Sequence, residues 1–490
     1  MIKQEIIDRI ISDVPIQDVA KDEGINFVKE KGNRSWATCP FHNENTPSFY
    51  VDTGMNVWRC FGQCRSGGNV ISLYRKLKNG LPFPIACKEL AKKYLNEDID
   101  DEYKPSREDE ERQKEQEALR IALDYAQSYF VEEMHKVNPG ANKAREVVRK
   151  RWGADAIDEF GIGYAPADGF INWAMKKQLD LDLLEQVGLI GMGERGKFAM
   201  LRDRYTIPIY DKMSRVIGFT ARTLSDNSDI CKYLNLKNSP VYHKDTSVFG
   251  INFAQKEARL KDKFYLVEGA PDVVKLQSIG ILNTVASLGG SWTENQLKQL
   301  YRVSRKVTFI PDADTLKPGN EFPAGTANVF ANGRAALQVG FTVNVREIPV
   351  DYPAPKKEDP DSWIVDKGHF LQMKEEEFIF WYCRRRYWPS VEDIESYTTE
   401  DRLQAIADIC GLLMLIKDED LRSSYLTSLI SNYKHSREWK DTLKRAKEAE
   451  LSEKQERERK GDIKMLREFG FTEHDNCYWG TNKEGDEIQW

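Results

Sequence analysis

Apolar positions change their spacing several times along the chain, and each change predicts a different kind of structure. In the first 95 residues, Ser48-Phe49-Tyr50-Val51 and Asn56-Val57-Trp58-Arg59 are two short alternating runs separated by Asp52-Thr53-Gly54-Met55, the pattern of strands in a small sheet. Helical patterns follow at Ile71 to Leu77 and at Ala86 to Tyr94. From Glu97 to about Gln116 nearly every position is polar or charged and Pro105 interrupts, so this stretch predicts a linker or solvated helix start that would leave the first domain free to move. Helical spacing resumes at Leu119, Ile121, Ala122, Tyr125, Ala126 and Phe130 and leads to a β-rich run at Tyr205-Thr206-Ile207-Pro208-Ile209-Tyr210.

From Phe264 short apolar strands alternate with helices: Phe264 to Val267, Asp272 to Ser278, Thr284 to Ala286, Glu294 to Tyr301, Lys306 to Ile310. That βαβαβ order predicts a mainly parallel sheet whose ligand site lies at the carboxyl ends of its strands. After about Phe370 the pattern is mainly helical, with Leu412 to Ile416 expected in a buried helix and the charged Ser436 to Lys464 expected as a solvated connector. The ending, Asn476 through Trp490, is strand-like. The expected organisation is multidomain, α+β and α/β: a domain at 1–95, a charged linker at 96–117, a mixed helix-and-sheet subdomain at 118–258, the parallel sheet at 259–370 and a helical region at 371–490.

A length of 490 residues is too great for one core and fits roughly three domains of about 150 residues. No apolar run approaches a membrane span and the start lacks a signal-like apolar segment, so a soluble, cytoplasmic protein is expected. A net charge of −6 does not advertise a nucleic-acid partner, but acidic stretches such as Asn96 to Glu102 can mask local basic surfaces.

Cys39-Pro40-Phe41-His42 and Cys60-Phe61-Gly62-Gln63-Cys64 supply thiolate and imidazole donors in two close pairs, the ligand set of a structural Zn²⁺ site on a ribbon. Cys87, Cys231, Cys383, Cys410 and Cys477 show no such pairing and read as structural. A second constellation is acidic: Glu268 ends one predicted strand, Asp312 and Asp314 end another, and Glu358-Asp359-Pro360-Asp361 follows a third. Carboxylates converging at adjacent strand ends repel one another unless hard cations such as Mg²⁺ or Mn²⁺ bind between them. The bland alternative is a solvated acidic loop, which weighs more on Asp359 and Asp361 than on the others.

Glu268-Gly269 with Asp272, the Asp-x-Asp of Asp312 and Asp314, and the Asp-Pro-Asp of Asp359 and Asp361 resemble the TOPRIM motif. Coupled to the N-terminal Cys-x-x-His ribbon, the combination resembles bacterial and phage DnaG-type primases. The likeness extends to Lys150-Arg151, Phe160 to Pro166, Arg202-Asp203-Arg204, Val216 to Phe219 with Arg222, Lys232 to Asn235 and Tyr242-His243-Lys244, about residues 1 to 370 in all. The resemblance implies an RNA polymerase core that copies single-stranded DNA from ribonucleoside triphosphates into short primers. By the same resemblance Glu268 would act as acid, base or metal ligand, and Asp272, Asp312, Asp314, Asp359 and Asp361 would hold Mg²⁺ or Mn²⁺. Arg151, Arg202, Arg204, Arg222, Lys232 and Lys244 would hold template or triphosphate.

On the ribbon, Trp36, Trp58 and Arg59 are candidates for contacting DNA, whereas Phe49 and Phe61 are expected in its core. Gln63 widens the second ligand pair relative to the family's pattern, and no phosphate-loop motif of a fused helicase motor occurs; a replicative helicase is the partner that the resemblance suggests for the C-terminal region. The competing readings are a TOPRIM nuclease, which would give the ribbon and basic motifs no purpose, a type IA topoisomerase, for whose large toroidal module with its nucleophilic tyrosine the chain has little room, and a catalytically silent DNA-binding scaffold, which would not need the acids.

Overall fold

The computed structural model describes residues 2–489 apart from 3, 43, 45, 63, 65, 79–80, 100–106, 195, 226, 228, 389–391, 469–471, 475–476 and 482–486, so Gln63 lies outside the described residues. The chain divides into two units, Met1–Phe378 and Ile379–Trp490.

The ribbon is a five-stranded antiparallel sheet of β1 (Lys29–Lys31), β2 (Arg34–Ala37), β3 (Phe49–Asp52), β4 (Val57–Cys60) and β5 (Gly67–Asn69), in that order. The alternation expected of a half-solvated strand is absent from β3, which is buried at every position because both faces are covered. Phe49, Val51 and Trp58 pack with Ile10, Ile11, Val19 and Leu73, while Tyr50, on the other face, lies beneath Trp36 and Phe61. Asn56 ties the N-terminal helices to the turn before β4. Its side-chain amide donates to Ile11 O (2.8 Å) and Val14 O (2.9 Å) and accepts from Ile16 N–H (3.0 Å). Its φ of 56° suits asparagine, whose short polar side chain tolerates the left-handed region.

Instead of standing free, the ribbon is seated on the rest of its unit. Arg34 pairs with Glu159 (3.2 Å), Lys212 with Asp8 (3.5 Å), and Arg59 donates to Tyr210 Oη (3.1 Å) and Asp158 O (3.0 Å). The charged stretch becomes helical at Arg107, in a helix (Arg107–His135) that buries Leu119, Leu123, Ala126 and Phe130. That helix packs on a four-stranded antiparallel sheet of β6 (Gly163–Ala165), β9 (Arg204–Tyr210), β10 (Val216–Thr223) and β11 (Tyr233–Asn235), ordered β11-β10-β9-β6. The chain between β6 and β9 carries the hairpin β7 (Ile190–Gly193) and β8 (Gly196–Ala199).

The predicted βαβαβ region forms β12 (Phe264–Val267), β13 (Thr284–Ala286) and β14 (Lys306–Phe309), with β15 (Thr342–Arg346) as a fourth parallel strand. The sheet does not stop at residue 370. β16 (Glu375–Glu377) adds antiparallel to β15. In this strand of three glutamates, Glu375 is drawn in by Lys263 (2.7 Å), Arg346 (2.9 Å) and Asn344 (2.7 Å).

The second unit contains the helices Thr399–Met414, Glu419–Tyr433 and Ser436–Glu468. Leu412, Leu413 and Ile416 are buried as expected, and Met414 and Leu415 partly so. The expected wholly solvated connector is not one at its start. Trp439 and Leu443 are buried and Arg402 pairs with Glu438 (2.9 Å), so the first turns of that helix belong to the packed bundle. A small sheet of β17 (Thr472–His474), β18 (Cys477–Thr481) and β19 (Glu487–Gln489) follows. Among the described residues no helix is long and apolar enough to cross a membrane.

Candidate functional site

β2 and β4 bring the two ligand pairs of the ribbon together. One donor atom from each of Cys39, His42, Cys60 and Cys64 lies within 4.8 Å of the other three, a set that fits one tetrahedral Zn²⁺. The Cys39 and Cys64 sulfurs stand 3.5 Å apart, too far for a disulfide. Hydrogen bonding from Cys60, reinforced by Ser66, holds the Cys64 thiol down at about 4 against burial, while the Cys60 thiol is pushed up by that same sharing and Cys39 by burial to about 11.

Pairing of ligands in sequence gave no hint of Glu44. Its carboxylate accepts from Cys39 N–H (2.7 Å) and Ser48 N–H (3.1 Å) and lies 2.8 Å from His42 Nε2, the position of an outer carboxylate that orients a metal-ligating imidazole. Burial works to raise its pKa, but the bonds from Ser48, Cys39 and His42 outweigh this and hold it below the usual range.

The acids gather at the carboxyl ends of β12 and β14, which are hydrogen-bonded parallel neighbours. Glu268 follows β12 directly, and Asp272 lies in the first turn of the next helix (Ala270–Ser278), where Oδ2 accepts from Gly269 N–H (3.1 Å) and Oδ1 from Asp361 N–H (3.1 Å). Asp312 and Asp314 flank Ala313, which forms an isolated antiparallel bridge with Glu358 and so brings Asp359 alongside. Asp359 caps its short helix by accepting from Ser362 N–H (2.8 Å), and Asp314 accepts from Gly325 N–H (2.9 Å).

Burial, compounded by the charge of Glu268, pushes Asp312 up to about 7; burial and the charges of Asp312, Asp359 and Asp361 push Asp272 well above the carboxylate range. Glu268 is raised by burial and by Asp314. Glu268 Oε1 and Asp312 Oδ1 are buried with no hydrogen-bond donor. Crowded, buried carboxylates with orphaned oxygens fit hard divalent cations. Among the described residues these acids do not close into a group as tight as the cysteine–histidine set. Lys357, which the sequence did not single out, lies 2.6 Å from Asp312 Oδ2 and 3.0 Å from Asp314 Oδ1.

Asp361 turns elsewhere. Its Oδ2 accepts from Arg151 Nε (3.0 Å) and Nη2, and its Oδ1 from Trp152 Nε1. Arg151 also donates to Tyr205 Oη (2.6 Å) and Tyr233 Oη (3.1 Å), which joins the β9-β10-β11 sheet to the acidic loop. Burial alone would favour loss of its charge, but Tyr205, Tyr233 and Asp361 raise its pKa. Arg222 lies beside Tyr205 and Tyr233 in the sheet register, with a buried Nε that has no acceptor. Arg202 is exposed, 5.8 Å above the Phe198 ring, and Lys232 and Lys244 are exposed.

Four of the residues expected to touch nucleic acid or nucleotide are placed otherwise, the first being Arg151, engaged by Asp361, Tyr205 and Tyr233. Arg204 is 7% exposed and donates to Ala221 O (3.4 Å) and Lys232 O (3.3 Å), stapling the sheet from within. Trp58 is 1% exposed, its ring packed against Phe41 and Phe49 and its Nε1 donating to Ser72 Oγ (3.1 Å). Arg59 is committed to Tyr210 and Asp158. Conversely, Phe61 is 36% exposed rather than core, and with Trp36 and Tyr50 it forms an aromatic cluster (centroids 4.8 to 6.2 Å) with Arg34 over the Tyr50 ring. Trp36 is the ribbon candidate that remains accessible.

Three family models match the chain: a CHC2 zinc finger over residues 2–106, the N-terminal domain of the DNA primase catalytic core over 129–255, and a Toprim-like domain over 265–364. The DNA primase of Clostridium acetobutylicum is 29% identical over 416 residues, 84% of this chain and 65% of its own. That of Pseudomonas putida is 32% identical over 378 residues, 75% of this chain and 54% of its own. The chain thus spans from about half to just under two thirds of these relatives' lengths. The crystal structure of the zinc-binding and RNA polymerase domains of Aquifex aeolicus primase superposes with a TM-score of 0.58 at 26% identity, covering 88% of this chain and 97% of that one. A DnaG primase catalytic domain bound to single-stranded DNA shares the fold at 24% identity, with a TM-score of 0.54, over 65% of this chain and 96% of its own.

Proposed function

Since the chain belongs to the DnaG-type primases, with their zinc finger, catalytic-core and Toprim modules, we propose that it copies single-stranded DNA into short RNA primers for replication. The observation that carries this reading is the set of carboxylates at the ends of neighbouring parallel strands, linked through Asp361 and Arg151 to a sheet bearing further cations.

Glu268, Asp312 and Asp314, with Asp272 and Asp359 behind them, would hold the catalytic Mg²⁺ or Mn²⁺, which would offset charge on the attacking 3′-oxygen and on the departing pyrophosphate. Glu268, raised by burial, is suited to move the proton of the 3′-hydroxyl. Asp361 acts as a clasp: with both oxygens engaged by Arg151 and Trp152, it fixes the acidic loop against the sheet. Arg222, with an unsatisfied buried Nε, offers a fork to the triphosphate, and Arg202, Lys232 and Lys244 neutralise template phosphates. The ribbon contributes Trp36 and Phe61 as stacking faces for template bases, with its zinc fixing the strands that carry them. The helical second unit, part of which falls within the superposition on the primase RNA polymerase domains, offers the rest of its surface to a replicative helicase.

The test is incubation with ribonucleotides, Mg²⁺ or Mn²⁺ and single-stranded templates of varied sequence. Short template-dependent RNA supports the reading. Cleavage of the template with no RNA made would transfer the acids to a nuclease.

A further inference from the structure

The bridge between Ala313 and Glu358 sets a register with a chemical result. Ala313 N–H donates to Glu358 O (2.8 Å) and Glu358 N–H to Ala313 O (2.9 Å). Asp312 and Asp314 flank one partner and Lys357 precedes the other, so the pairing aligns a lysine with two carboxylates. Its Nζ reaches both, at 2.6 and 3.0 Å. The neighbouring Lys356 pairs with Glu358 instead (2.7 Å) and is 80% exposed, so the alignment belongs to Lys357 and not to general basicity of the loop.

Both carboxylates are among the more buried parts of the site, whereas the lysine side chain is 55% exposed and has open solvent to retreat into. An ammonium bridging two carboxylates lies where a divalent ion shared by the same oxygens would lie, and two cations cannot occupy that space together. We propose that Lys357 is a tethered counter-cation of the Asp312–Asp314 pair, which competes with the divalent ion and swings into solvent when the ion binds. The chain thereby carries its own brake on metal affinity, and its acids stay charge-balanced before the ion arrives. This inference rests on the reading of these acids as the metal site.

The experiment measures Mn²⁺ binding to the full zinc-loaded chain by electron paramagnetic resonance of the free ion, for the wild type and for Lys357→Met, Lys357→Arg, Lys356→Met and Asp312→Asn. Loss of a charge-assisted contact of this kind should tighten Mn²⁺ binding about tenfold in Lys357→Met. Lys357→Arg, which keeps the charge, and Lys356→Met, which removes a charge from outside the pair, should stay close to wild type. In chelator Lys357→Met should melt below wild type, and saturating Mn²⁺ should erase the difference. Unchanged or weaker Mn²⁺ binding in Lys357→Met would overturn the proposal, as would tightening of the same size in Lys356→Met. Absence of Mn²⁺ binding to the wild type, or undiminished binding in Asp312→Asn, would instead remove the acid-site reading beneath it.

Discussion

Arg151 and Asp361 lie 210 positions apart, yet their side chains make the contact that joins the two halves of the candidate site. Resemblance marked both residues, but it assigned the arginine to phosphate and the aspartate to metal; only the fold shows each engaged with the other. Arg204 and Trp58 misled in the same way, because a residue's type says which chemistry is possible but not which face of the strand it occupies. The zinc ligands were legible because local spacing alone makes the site, and Cys60→Ser should release the metal and loosen the ribbon, read by zinc content and by proteolysis. Asp312 supports a prediction with a definite sign. Its folded pKa is raised to about 7, so between about pH 4 and 7 the folded state holds a proton that the unfolded chain has already lost, and the fully charged bridge to Lys357 forms above that interval. In chelator, stability should therefore fall as pH rises from about 4 to 7, and Asp312→Asn should flatten that slope by about 1–3 kcal/mol across the interval, measured by urea melts.

Elements with a strong period were legible, and elements held by tertiary contacts were not. The parallel strands β12, β13 and β14 fall within their predicted runs because they are short, mostly buried and rich in apolar and β-branched residues, with helices intervening between them. β16 carries no apolar signal at all and exists through the Lys263, Asn344 and Arg346 contacts to Glu375. Gly325 illustrates a constraint of the same kind. It opens the helix after the acidic loop, and a Cβ there would stand 2.3 Å from Asp312 O. Gly325→Ala should cost about 1–3 kcal/mol and lower primer synthesis by displacing the loop, whereas Gly411→Ala, exposed within a helix and meeting nothing, should leave synthesis unchanged and raise stability by up to about 1 kcal/mol. Asn56→Ala, which removes three buried hydrogen bonds, should loosen the N-terminal helices from the ribbon sheet, visible as faster amide exchange in Gln4–Asp13.

At the scale of the molecule, a net charge of −6 conceals a division of labour between acidic strand ends and cations on the neighbouring sheet. Template binding should accordingly weaken steeply between low and physiological salt, and Arg202→Ala and Lys232→Ala should each reduce the slope by about one. The most direct measurement compares wild type with Glu268→Gln in one primer-synthesis assay, with binding of the same single-stranded template measured in parallel. The account predicts short RNA from the wild type, a loss of several orders of magnitude in the variant, and template affinity unchanged within about twofold. Comparable RNA from both proteins would contradict it, because the strand-end acids would then have no part in the chemistry.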